Sequence, residues 1–222
     1  MRFQDAARDA RAVVYAGIQA DPLVARVASL LADATTAERW LARAVMNGER
    51  TDPDRWRSMF PTLFGATVKA ATRDRAEVLL AACLEVANRG EQARSSYRGA
   101  VVEELTARLL AQRSAPVRRE RRVLFDGVPA EIHPYDVTVE ADGRPEVYDC
   151  KWGARGINAD VLNQLDDARA NAAEEEIALR VAIVVFDARR SCELRLARST
   201  ARHDGTGLVA LEAIDSLGKG GR

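Results

Sequence analysis

Asp149 and Lys151 flank a single cysteine in the stretch PEVYDCKWG (residues 145–153), whose composition reads as a β-strand. Residues two apart on a strand share a face, so a carboxylate and an amine stand side by side on a half-buried surface. Such a pair is either a surface ion pair or part of a reaction centre. The lysine is unusual for this chain. Of 33 basic residues only Lys69, Lys151 and Lys219 are lysines, and of these Lys151 alone falls in a predicted strand. Surroundings can shift a lysine or strip its proton, whereas arginine keeps its charge.

Upstream of this pair, residues 131–140 read as another strand. Asp142-Gly143 between the two signals a two-residue type I′ hairpin. That loop sets Asp136 directly opposite Asp149, with Cβ atoms roughly 5 Å apart, and Lys151 on the same face. Like charges so placed destabilise a sheet. Two close carboxylates share a proton or hold a cation, and their hard oxygen donors suit Mg²⁺. One lysine balances only one of the two acids. A bulged or longer loop would shift the register and leave an ordinary surface ion pair. Cys150 and Trp152 alternate to the opposite face, as core residues.

A third acid precedes the strands. In the helical stretch RGAVVEEL (residues 98–105), Glu104 finds Arg108 four residues on, as a surface pair. Glu103 has Gly99 and Ala107 at those offsets instead. Its face carries Gly99, Ala100 and Ala107, small residues that admit another backbone. Glu103 therefore reads either as a functional acid or as a solvated glutamate.

The elements that must position these residues follow from periodicity. Residues 3–90 read as all helix, with a capping box at Thr35-Thr-Ala-Glu38 and a second start at Asp52-Pro53. This region is expected to be a helical layer or a regulatory, partner-binding surface. From residue 91 a helix runs to about 113, followed by strands at Arg121–Phe125, 131–140 and 146–152. A helix from Asn158 to about Glu175 leads to LRVAIVVF (residues 179–186), a near-continuous apolar run expected to be a buried central strand. Cys192–Leu196 reads as a short strand, Leu208–Leu217 as a last helix, and residues 218–222 as a flexible tail. The fold class is α/β (α+β), with a helical region 1–90 and a mixed-sheet domain 91–217 in the order α-β-β-β-α-β.

Gly99-x-x-x-Glu103 on a helix, Asp136 on one strand and Asp149-Cys150-Lys151 on the next resemble the PD-(D/E)XK nuclease superfamily over residues 91–190, and the element order resembles its restriction-endonuclease-like core. One departure is that Pro134-Tyr135-Asp136 carries a residue between proline and aspartate. The resemblance implies a Mg²⁺ site, with Mn²⁺ able to substitute. Its ligands would be Asp136, Asp149, the Cys150 carbonyl and, directly or through water, Glu103. Lys151 would orient or help deprotonate the attacking water and stabilise charge on the phosphate. Gln164 resembles an auxiliary glutamine of many members; on its own it reads equally as a polar residue bordering the Val161-Leu165-Ala168 stripe.

Hydrolysis of a phosphodiester needs an activated water and neutralisation of charge at phosphorus, which a metal ion and a nearby lysine supply. Arg118, Arg119, Arg121 and Arg122, with Arg155 in the loop Gly153-Ala-Arg-Gly156, could grip a backbone without reading sequence. They could equally form a solvated face. The expected partner is nucleic acid, with DNA first, and the helical region could carry a protein partner or a homo-oligomer contact.

Bulk properties narrow the field. The chain has 222 residues, 47% of them hydrophobic, enough for a sizeable core. Acids and bases balance at 33 each, so binding to nucleic acid must come from a local patch. No apolar run reaches the ~20 residues that span a bilayer, and the first residues make a poor signal peptide. Cys83, Cys150 and Cys192 have no zinc or disulfide spacing, and with His133 and His203 the only histidines there is no His-rich metal site. These features fit a cytoplasmic protein. Three functions remain open: a nuclease of restriction, repair or defence against mobile DNA; a nuclease-like subunit that binds without cutting; and a helical interaction protein with a supporting C-terminal domain.

Overall fold

β-Branched and aromatic residues build one mixed sheet, whose strands in chain order are β1 (Arg2–Asp5), β2 (Val117–Phe125), β3 (Val128–Pro129), β4 (Tyr135–Val139), β5 (Glu146–Lys151), β6 (Arg180–Val185) and β7 (Gly207–Ala210). The structure is a computed structural model and describes residues 1–7, 10–48, 52–129, 133–141 and 143–219. Strand order is β1-β2-β4-β5-β6-β7, with β3 paired to β2. β1, β2, β4 and β5 run antiparallel to their neighbours, and β5, β6 and β7 run parallel. β5 thus sits where the sheet changes from antiparallel to parallel.

Parallel neighbours need crossovers. Helix α8 (Ala159–Glu174) joins β5 to β6, and helix α9 (Arg189–Ala197) joins β6 to β7. Asn158 starts α8 by accepting the Val161 N–H at 2.9 Å. Leu162, Leu165, Ala168 and Ala172 recur at helical spacing and pack in one cluster with Val147, Val181, Ile183 and Val185. Burying each such large apolar side chain contributes about 1.5–3 kcal/mol. The apolar run of β6 is buried throughout Val181–Val185, as a strand covered on both faces requires.

The chain divides into two units: a sheet unit of residues 1–9 and 106–222, and a helical unit of residues 10–105. The latter comprises α1 (Ala10–Gln19), α2 (Pro22–Ala32), α3 (Thr36–Asn47), α4 (Pro53–Met59), α5 (Pro61–Phe64), α6 (Ala70–Ala87) and most of α7 (Glu91–Ala111). The capping box is present: Glu38 N–H donates to Thr35 Oγ1, and Glu38 Oε2 accepts from Thr35 N–H. Pro53 opens α4 behind an Asp52 cap.

Several expectations are corrected. The passage between units lies not at residue 90 but inside α7, one 21-residue helix that runs through it. The N-terminus is not all helix: Arg2–Asp5 forms a strand along β2, a partner more than 100 residues away that local periodicity cannot reveal. Cys192–Leu196 is helical. Its alternation of Cys192, Leu194 and Leu196 imitates a strand, yet only Cys192 is buried and Leu194 is exposed. Leu208–Leu217 splits into β7, which pairs with β6, and a 3-10 helix over Leu211–Lys219. Gly218 and Lys219 therefore belong to a packed element, while residues 220–222 lie outside the described residues. Residue 130, residues 131–132 of the predicted second strand and Asp142 of the predicted turn also lie outside them.

Candidate functional site

The hairpin ladder pairs Val137 with Tyr148, Thr138 with Val147 and Val139 with Glu146. The ladder stops there, one residue short of the Asp136–Asp149 pair that the Asp142-Gly143 loop implies. Gly143 is left-handed at φ 75°, a conformation that glycine adopts without a Cβ penalty. Beyond Val137 the strands depart from simple pairing. The Asp136 carboxylate accepts the Cys150 N–H at 2.5 Å, taking the place of a ladder carbonyl. Tyr135 enters the cluster under α8 together with Val147, and its hydroxyl donates to Gln164 O at 3.2 Å.

Asp149 and Lys151 project from the α8 side of β5, level with Ile183 and Val185 of β6. Lys151 Nζ lies 2.5 Å from Asp149 Oδ1. The contact is an ion pair, and Oδ1 itself is buried. Burial pushes the Asp149 carboxyl above the usual carboxylate range, against the opposing fields of Lys151 and His133. Burial also pulls Lys151 down, but the Asp149 and Asp136 carboxylates outweigh it and hold the ammonium above its ordinary value.

On the opposite face, Cys150 Sγ meets Thr106 Oγ1 at 3.5 Å and is buried, which sets the thiol away from the acids. Trp152 stacks on Phe186 with ring centroids 5.0 Å apart. Gln164 of α8 donates from Nε2 to His133 O at 3.0 Å, tying the helix to the approach to β4.

Glu103 belongs to the helical unit. There it is buried and accepts from Tyr15 Oη at 2.5 Å and Gln19 Nε2 at 2.8 Å. The small face of α7 admits a side chain rather than a backbone: a Cβ on Gly99 would lie 2.9 Å from the Tyr15 hydroxyl. Among the described residues no three His, Cys, Asp or Glu side chains are grouped to hold a metal ion.

The arginines do not form one patch. Arg118 and Arg119 pair with Thr138 and Val137, so they alternate across the sheet. Arg121 is committed to Glu140, at 2.6 Å from its Nε, and to Asp5, and the two acids hold its guanidinium in the strand layer. Arg118 and Arg155 are exposed. The stretch Gly153-Ala-Arg-Gly156 is not a flexible loop but includes a 3-10 turn, Ala154–Gly156. Its Ala154 N–H donates to Asp187 Oδ2 at 3.0 Å, and Arg195 Nε donates to the neighbouring Ile157 O at 2.8 Å. Sequence reasoning passed over His133, Asp187 and Arg195; each comes from a distant element, and only the nearness of His133 to Asp136 was visible along the chain.

A cavity of about 580 Å³ opens at the other end of β5, between Arg113, Arg144, Glu146 and Arg180. Neither Asp149 nor Lys151 lines it; the acid–lysine cluster lies at the carboxyl end of β5. Among the described residues no helix is long and apolar enough to cross a membrane.

No family model and no curated protein matches this chain. Among solved structures it is similar to the protein VC1899 from Vibrio cholerae, at 15% identity and a TM-score of 0.46, over 98% of this chain. The chain spans 57% of that protein's length.

Proposed function

We propose that the protein is a metal-dependent nuclease of the PD-(D/E)XK type, with a restriction-endonuclease-like core in its sheet unit and DNA as its substrate. The observation that supports this reading is that the Asp136 carboxylate accepts the Cys150 N–H at 2.5 Å, between Asp149 and Lys151, whose own charged groups lie 2.5 Å apart. The residues present fit a hard divalent cation. Asp149 offers a buried oxygen, and Asp136 offers a second carboxylate, at the Cys150 N–H. Asp136, Asp149 and the Cys150 carbonyl would hold Mg²⁺, or Mn²⁺ in its place. When bound, the ion lowers the pKa of a water and neutralises charge on the phosphate. Lys151, kept protonated by the two acids, presents a compact cation to the phosphate oxygens as their charge grows. Asp136 keeps its carboxylate in line by holding the Cys150 N–H. Gln164 fixes the chain at His133, three residues before Asp136. Glu103 enters the ligand set only as what the resemblance implies; in the helical unit it accepts from Tyr15 and Gln19.

A second reading, a domain that binds nucleic acid without cutting it, is favoured by the lack of a three-acid group among the described residues. Incubation with single- and double-stranded DNA and RNA, in Mg²⁺, Mn²⁺ or EDTA, separates the two. The expected result is cleavage with either metal and none in EDTA. Asp149→Asn is expected to abolish cleavage and weaken Mg²⁺ binding by calorimetry. Binding without cleavage of any substrate would leave the second reading.

A further inference from the structure

Gly156 ends the 3-10 turn that follows β5, and the space where its side chain would begin is occupied by Lys151. A Cβ built on Gly156 would lie 2.9 Å from Lys151 Cβ and Cγ and 2.8 Å from Cδ. Carbon atoms in contact stand about 3.5–4.0 Å apart, so only glycine lets this turn lie against the lysine stem. The turn is fastened on both sides. Asp187, at the end of β6, takes the Ala154 N–H at 3.0 Å, and Arg195 of α9 holds Ile157 O at 2.8 Å. Ala154 and Ile157 are themselves buried in the sheet unit's core. The lysine main chain is equally held: Lys151 O accepts the Phe186 N–H at 2.9 Å, in register with Val185.

We infer that Gly156 is the positioning residue for Lys151: the turn, clamped by Asp187 and Arg195, is a plate that confines the lysine stem and aims Nζ along β5 toward Asp149. The catalytic meaning of this plate rests on the nuclease reading above; the plate itself does not. A stem free to choose its rotamer would spread the ammonium over several positions, and an error of 1 Å at a reacting centre can cost about 10²-fold in rate.

The scarcity of lysine makes the test direct. Lysine-selective ¹³C labelling gives side-chain signals from Lys69, Lys151 and Lys219 alone. Gly156→Ala is expected to move the Lys151 Cε–Hε signal and leave the other two in place. In the cleavage assay it is expected to lower kcat by about 10²-fold, with KM little changed. Arg195→Ala, at an exposed position, is expected to move the same signal by less, and it decides the matter if Gly156→Ala does not fold. A Lys151 signal that stays put in the folded variants overturns the inference. So does a moved signal with wild-type kcat in a protein that cleaves. A moved signal in a protein whose wild type cleaves nothing upholds the plate and removes the nuclease reading.

Discussion

At the scale of single residues, Lys151 is the group whose identity carries the most consequence. Two carboxylates keep it charged, and its stem is sandwiched between β5 and Gly156. A guanidinium is larger, planar and spreads its charge, and the plate leaves no room for it to withdraw. Lys151→Arg is therefore expected to lose most cleavage, close to the roughly 10²–10³-fold loss expected for removing a transition-state donor in Lys151→Ala. Circular dichroism and Mg²⁺ calorimetry should show fold and metal binding largely kept. Near wild-type turnover in Lys151→Arg would reduce the lysine to a structural counter-ion. The pairing of Asp149 with Lys151 was legible because it is local, two residues on one strand. The burial of Asp149 was not, because it depends on elements distant in the chain. Gly156 was visible as a glycine but not as a wall, since its neighbour in space is set by the turn.

Among the elements, β5 carries acids at both ends with opposite electrostatic fates. At its start, Glu146 is buried, and Arg113 Nη1 donates to it at 3.0 Å within a two-pronged pair, with Arg180 and Tyr148 beside it. Burial works to raise the Glu146 carboxyl, but the Arg113 guanidinium and the Tyr148 hydroxyl outweigh it and hold it below the usual range. A carboxyl depressed in the folded state adds stability above its unfolded pKa of about 4.3 and loses it as pH falls through the folded value. Thermal melts of the wild type should therefore weaken from about pH 5 downward, and Glu146→Gln should flatten that acid limb. At neutral pH the same change should cost about 1.5–3 kcal/mol, the range for a hydrogen bond to a charged group. Equal acid limbs in the two proteins would mean that Glu146 is not the linked group. The β4–β5 pairing was readable because a short loop sets register from adjacent residues. β1 and β7 were hidden because four-residue strands hold their place only through distant partners, and α9 was misread because an exposed helix had an accidental alternation.

For the whole molecule, equal numbers of acids and bases mean that no global field draws in a polyanion, so affinity must come from arginines left free by their own acids. The run at the start of β2 looked like such a patch in the sequence, but ion pairing and strand alternation divide it. Arg121 is spent on Glu140 and Asp5, whereas Arg118, also on β2, and Arg155, in the turn after β5, are exposed. Each phosphate contact releases counterions, so losing one lowers the slope of log affinity against log salt by about 1. Arg118→Ala and Arg155→Ala are therefore expected to weaken DNA binding and to flatten the slope by about 1 each, as read by fluorescence anisotropy across a salt series. Arg121→Ala is expected to leave the slope unchanged and to lower the melting temperature instead, because it strips two acids of their partner. A reduced slope for Arg121→Ala with none for Arg118→Ala and Arg155→Ala would show that nucleic acid displaces the internal pairs and binds along the middle of β2.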